Sequence, residues 1–180
     1  SVLPPIVKPY SYVQNKASTA EKVTVKVTMQ KDSSGIAGYS WCFTQNINEE
    51  PDSVLMQLPS KNSITSYATK DGKWYFKVKA TDYAGNWSKS SIVFYEKDTT
   101  PPSKPRIILP NVDKNGYLTS NTFSILWNKP TESDVAGYSY KLEYIVQENS
   151  FVPSKPTARI QTTKEQKSWT NIDNGLYSFS

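Results

Sequence analysis

Ile36-Ala37-Gly38-Tyr39-Ser40-Trp41 returns along this chain as Val135-Ala136-Gly137-Tyr138-Ser139-Tyr140, at an offset of 99 residues. A second pair follows in the same order. Asp71-Gly72-Lys73-Trp74-Tyr75-Phe76 matches Asn174-Gly175-Leu176-Tyr177-Ser178-Phe179 at an offset of 103. The openings also match, with Pro4-Pro5-Ile6-Val7-Lys8-Pro9 resembling Pro101-Pro102-Ser103-Lys104-Pro105. Three matches in one order at nearly one offset define an internal repeat. The drift in offset places insertions in loops between the matched segments, where length changes are tolerated. The segment 99–105 is rich in proline, so it reads as an extended, semi-rigid linker. The expected modules are therefore residues 1–98 and 106–180.

Period-two alternation fixes the element type. Val23, Val25 and Val27 share a face, with Thr24, Lys26 and Thr28 opposite. Tyr39, Trp41 and Phe43 share another, with Ser40 and Cys42 opposite. Trp74, Phe76, Val78 and Ala80 share a third, leaving Tyr75, Lys77 and Lys79 on a solvated face. In the second repeat Phe123, Ile125 and Trp127 align, as do Tyr138, Tyr140, Leu142 and Tyr144. Neither repeat carries a helical pattern of three turns. Short strands between turn signals predict an all-β sandwich in each repeat.

Composition narrows the chemistry. The 180 residues include 12 Pro, 12 Tyr, 5 Trp and 7 Gly, with 37% hydrophobic residues. A low apolar share suits small β domains in which each strand buries one face. Net charge is +5, and Lys70, Lys73, Lys77 and Lys79 lie close in sequence. With no arginine cluster and no helix to enter a groove, they do not read as a nucleic-acid surface. No apolar run is long enough for a membrane-spanning helix. The chain has no histidine, which removes the commonest general base and transition-metal ligand. Cys42 is the single cysteine, so no internal disulfide forms. It reads as a free thiol on an outer sheet face. The opening Ser1-Val2-Leu3-Pro4-Pro5 reads as mid-linker, the start of an excised or mature piece of something longer.

Phe123-Ser124-Ile125-Leu126-Trp127-Asn128-Lys129-Pro130, followed by Asp134 to Tyr144, resembles the second and third strands of fibronectin type III domains. That resemblance implies that Trp127 and Tyr138 or Tyr140 pack together in the core. In the first repeat Val27 stands in the tryptophan position, and Trp41 is the candidate to fill that volume. Gly72 to Ser88, with Trp74, Asp82-Tyr83-Ala84-Gly85-Asn86 and Trp87, is similar to the sixth strand and following loop of bacterial immunoglobulin-like repeats of exported proteins, spirochaete ones among them. In such sandwiches a tyrosine of this strand bonds back to the backbone at the sheet corner. Tyr177 matches that position in the second repeat. Trp74 stands there in the first, which leaves its corner bond open. The expected fold is thus two tandem immunoglobulin-like, fibronectin type III sandwiches, with core residues Trp41, Trp74, Trp127, Tyr138 and Tyr177. The second lacks its last strand, because the first repeat runs 15 residues from Ala80 to Tyr95 and the second has one after Phe179. A continuation of the chain, a neighbouring chain or a different alignment of the end would each account for it.

The acidic clusters Glu49-Glu50-Pro51-Asp52 and Glu132-Ser133-Asp134 fall in predicted loops. Acids before tight turns are ordinary, so no catalytic pair is expected. Asp82, Asn86 and Asp98 could offer oxygen ligands, but no spacing matches a calcium loop. No cofactor or metal is expected. Trp87, Tyr83 and Tyr75 are the aromatic residues left for a partner or ligand. The resemblance implies a non-catalytic structural, adhesive or protein-interaction module of a larger exported bacterial protein, periplasmic or at the cell surface. Its expected partners are other protein subunits or further repeats of the same chain. The alternative is a carbohydrate-binding accessory module of a polysaccharide-active enzyme, with a glycan as ligand.

Overall fold

The computed structural model describes residues 1–110, 112–115, 117–146 and 151–180. The chain divides into two compact units, Ser1–Thr100 and Pro101–Ser180. All regular elements among the described residues are β-strands, and no helix there is long and apolar enough to cross a membrane.

The first unit holds β1 (Ile6–Pro9), β2 (Lys22–Thr28), β3 (Ile36–Thr44), β4 (Ser63–Tyr67), β5 (Gly72–Asp82) and β6 (Ser91–Lys97). They form two antiparallel sheets, ordered β1-β2-β4 and β3-β5-β6. Alternation along β2 turns Val23, Val25 and Val27 inward, joined by Ile64 of β4. Tyr39, Phe76, Val78 and Tyr95 meet them from the other sheet. This face-to-face packing of two apolar faces is a β-sandwich. The closing strand of the first repeat, β6, is sixth in order. The loop between β3 and β4 contributes only an isolated bridge, Tyr39 with Gln57.

That bridge explains why the Ala-Gly-Tyr stretch repeats. Tyr39 N–H donates to Gln57 O at 2.9 Å, and Gln57 N–H donates back to Tyr39 O at 3.1 Å. In the second unit Tyr138 and Thr162 exchange the same pair of bonds, at 2.8 and 3.2 Å. The returning loop crosses so near Gly38 and Gly137 that neither site has room for a Cβ. A β-bulge between Ile36 and Gly38 accommodates the crossing.

The second unit holds β7 (Ile107–Ile108), β8 (Phe123–Trp127), β9 (Leu142–Tyr144), β10 (Gln166–Trp169) and β11 (Tyr177–Phe179). Its sheets are ordered β10-β8-β7 and β11-β9. The third strand is shorter than its alternation suggested, with regular pairing confined to Leu142–Tyr144. Trp127 centres an aromatic cluster, 5.5 Å from Tyr138, 6.3 Å from Tyr140 and 6.1 Å from Phe179 between ring centroids. In the first unit Val27 leaves the corresponding volume to Phe76, Tyr39 and Tyr95, the largest fully buried side chains. Trp41 packs against that cluster only half-buried, 6.4 Å from Phe76.

Candidate functional site

β5 and the turn that follows it carry the three candidate contact residues, Tyr75, Tyr83 and Trp87. At the exit of β5 a tight turn is held by Asp82, whose carboxylate accepts from Asn86 N–H at 2.8 Å and from Asn86 Nδ2 at 3.0 Å. These bonds hold the Asp82 carboxyl below its ordinary value, the side-chain bond contributing most. The turn returns the chain so that Trp87 bridges Thr81. Trp87 is half-buried, with Lys79 Nζ 5.2 Å from its ring centroid, a cation–π geometry. Tyr83 is 76% exposed, and its ring runs beside Gly35. Tyr75 sits half-buried near the other end of β5, paired with Thr44 and Phe94. At the strand rise of about 3.3 Å per residue, it lies roughly 25 Å from Tyr83. The three aromatic candidates are therefore not one site. Trp87 and Tyr83 share the turn, and Tyr75 stands apart.

The outer face of β3 and β5 differs from its sequence reading. Lys77, expected in solvent, is 5% exposed. The loop after β3 folds back over this face and buries Pro51. Lys77 Nζ donates to Ile47 O and to the Glu50 carboxylate, the latter at 2.6 Å. Glu50 also accepts from Ser90 Oγ. The bond from Lys77, then that from Ser90, hold the Glu50 carboxyl below the usual range. Ser40, fully buried, donates to Asp52 at 3.1 Å, and Thr44 Oγ1 donates to Glu49 at 2.6 Å. Lys79 Nζ contacts Ser53 Oγ at 3.0 Å. The acids Glu49, Glu50 and Asp52 thus fasten the loop. Cys42, register partner of Lys77, lies half-buried beneath it. Burial, with the negative charge of Glu49 next, pushes the thiol up to about 11. Cys42 thus lies on the outer face of its sheet but beneath the loop, and its raised pKa keeps the thiol protonated at neutral pH.

Other acids are engaged in the same way. Asp71 accepts from Thr99 N–H at 3.0 Å and Thr99 Oγ1 at 2.8 Å. Glu132 accepts from Ser103 N–H at 3.0 Å and Ser103 Oγ at 2.9 Å. Asp98 accepts from Thr100 N–H at 2.9 Å. Among the described residues no three acidic, cysteine or histidine side chains converge.

The sheet corner resolves the role of Trp74. Tyr177 OH donates to Asp173 O at 3.2 Å, four residues upstream. Trp74 Nε1 donates to Lys70 O at 2.9 Å, also four residues upstream. An indole N–H thus makes in the first unit the corner bond that a phenol makes in the second. Trp74 stacks on Phe43 at 4.9 Å beside the core. Tyr177, expected as a core residue, instead packs edge-on against Tyr144 at 5.2 Å, outside the buried cluster of its unit.

An apolar crest on the β3–β4 loop escaped the sequence reading. Val54, Leu55, Met56 and Leu58 are 60, 48, 51 and 59% exposed. Their run in the sequence was the available signal, but it also fits a buried strand. The chain is an all-β sandwich protein whose polar side chains chiefly hold loops and turns. No protein-family model matches its sequence, and no curated protein matches it.

Proposed function

We propose that the chain is a non-catalytic structural and protein-interaction module of a larger exported bacterial protein. In this reading it is built from two repeats of the fibronectin type III kind and works in a periplasmic or cell-surface assembly, of the flagellar or envelope sort. The crest formed by Val54, Leu55, Met56 and Leu58 carries the reading. Its base is fixed, because Met56 N–H and Gln57 N–H both donate to Tyr39 O at 3.1 Å. Contiguous apolar side chains on a held loop are what a protein partner buries. The engagement of Glu49, Glu50, Asp52, Asp71, Asp82 and Glu132 in loop-holding bonds also favours a binding role over bond chemistry.

Site-specific photo-cross-linking tests the proposal. A photoreactive residue at Leu58 of the parent protein, in its native envelope, should cross-link to a protein subunit or another repeat. One at Tyr67, 58% exposed but away from the crest, should not. Equal cross-linking from both positions, or none from Leu58, would count against it. The carbohydrate-binding alternative draws on Tyr83 and Trp87 at the β5 turn. A saturable tryptophan-fluorescence change with a cell-wall or plant polysaccharide, abolished by Trp87→Ala, would favour it.

A further inference from the structure

The sheet β1-β2-β4 turns lysines and tyrosines to solvent. The alternation that buries Val23, Val25 and Val27 leaves Lys22 and Lys26 exposed on the opposite face. Lys8 of β1 stands directly opposite Lys26, and Tyr67 of β4 directly opposite Lys22. Tyr10 follows β1, its N–H donating to Thr24 O at 3.0 Å and its ring centroid 4.7 Å from Lys26 Nζ. Between the two tyrosines, Thr24 and Thr65 share a hydroxyl–hydroxyl bond at 2.9 Å. Tyr10 and Tyr67 are 67% and 58% exposed.

Like charges directly opposite each other on neighbouring strands repel, and nothing acidic on this face offsets them. No outward position of β1, β2 or β4 carries a carboxylate. Among the described residues Lys8, Lys22 and Lys26 form no ion pair. Glu21, next to Lys22 in the chain, turns instead to Lys97 at 3.3 Å. The other sheet of the unit is the contrast. There Lys77 lies under a loop that supplies Glu50 at 2.6 Å. Lysines on an edge strand discourage unwanted strand pairing, but Lys22 and Lys26 belong to the central strand of this sheet.

We propose that this face binds one linear polysaccharide chain whose sugar rings carry carboxylates. The ammonium groups of Lys8, Lys22 and Lys26 pair with the carboxylates. The rings of Tyr10 and Tyr67 stack on the C–H faces of sugars. The hydroxyls of Thr24 and Thr65, each both donor and acceptor, exchange bonds with sugar hydroxyls. A protein partner fits less well, because interface cores are poor in lysine and rich in large apolar groups. Ile6 is the one aliphatic side chain among the outward positions of these strands. Single-stranded nucleic acid is held in a basic groove where aromatic side chains take successive bases. Here the two rings stand toward opposite edges of the sheet, with hydroxyls between them. The inference uses no residue of the crest, so its failure would leave that reading untouched.

The test titrates the 180-residue chain with an oligogalacturonate, with the same oligomer fully methyl-esterified, and with an oligothymidylate of equal charge. Calorimetry and amide chemical shifts read the binding. The oligogalacturonate should shift the amides of β2 and β4, and its affinity should fall as salt rises. The ester keeps the rings without the charge and should bind about tenfold more weakly. Lys8→Gln combined with Lys26→Gln should cost about fivefold, with no loss of melting temperature because a repulsion is relieved. Lys73→Gln combined with Lys89→Gln removes the same charge at exposed positions off this face and should cost nothing. Tyr67→Ala should cost about fivefold at low and high salt alike. Trp87→Ala should bind as the parent does. Five results would overturn the proposal. They are no binding at low salt, equal losses from the two lysine pairs, and an ester as tight as the acid. The others are tighter binding of the oligothymidylate, and loss of binding in Trp87→Ala, which would place the sugar at the β5 turn.

Discussion

A methyl group added at Gly38 would sit 2.2 Å from the Gln57 carbonyl oxygen and 2.4 Å from Leu55 Cδ1. One of those neighbours is backbone, so the β3–β4 crossing itself must shift. Gly38→Ala is expected to cost about 2 kcal/mol, read as a lower urea midpoint with unchanged slope. Lys77 and Glu50 make the second residue-scale case. The folded Glu50 carboxyl titrates below its unfolded value of about 4.3, so its contribution is fully present above that value. It is lost as the pH falls through the lower folded value. Glu50 is more than half exposed, so solvent screens the effect and the change is modest. The drop in unfolding midpoint between about pH 6 and about pH 3 should be smaller in Glu50→Gln than in the parent. An equal drop would show that Glu50 does not couple to folding. Lys77 also marks where a residue pattern stops being readable. Its alternation with Phe76 and Val78 places it correctly on the outer face. The segment that covers that face begins about thirty residues earlier, and no local pattern reports it.

At the scale of the element, the corner after β4 can be isolated by substitution. Trp74→Phe removes the indole N–H that reaches Lys70 O, leaving one carbonyl to water. The expected loss is about 1 kcal/mol. Trp74→Tyr offers a hydroxyl, the group that serves at Tyr177, and should lose less. Equal losses in thermal or urea unfolding would assign the residue's worth to its stacking on Phe43 alone. The strands themselves were legible. Val23, Val25 and Val27 announce β2 by alternation, and the Asp-Gly-Lys-Trp repeat announces the start of β5. The corner bond was legible for Tyr177 but not for Trp74, since sequence shows the position and not which polar tip reaches the carbonyl. The aromatic candidates Tyr75, Tyr83 and Trp87 were legible singly. Their separation was not, because Tyr75 lies near the start of β5 and Tyr83 in the turn beyond its end, so the length of that strand sets them apart.

At the scale of the whole molecule, the two units differ in how far their cores are closed. The first buries residues from all three strands of its β3-β5-β6 sheet. In the second only Ile125, Trp127 and Tyr138 count as buried apolar residues among those described. Less apolar area removed from water means less stabilisation. Calorimetry should therefore give two transitions, the lower one belonging to the second unit. Near-ultraviolet and amide signals of Trp127 and Trp169 should vanish in it before those of β5. A single transition, or loss of the first unit's signals first, would contradict this. The division into repeats came from sequence because matched motifs recur at nearly one spacing.

The two-way bridge at Tyr39 and Gln57 has its counterpart at Tyr138 and Thr162, yet the second closes a loop six residues longer. Loop-closure entropy grows so slowly that this lengthening costs only about 0.3 kcal/mol. The six added residues exceed the drift of four between the two repeat offsets, so the second repeat is two residues shorter between its clasp and β11. The glycine-tyrosine clasp acts as a fixed socket into which stretches of different length and character can be plugged. A foreign peptide spliced between the two halves of either clasp should be carried as an interchangeable cassette, displayed by a host whose strands need not know what it says.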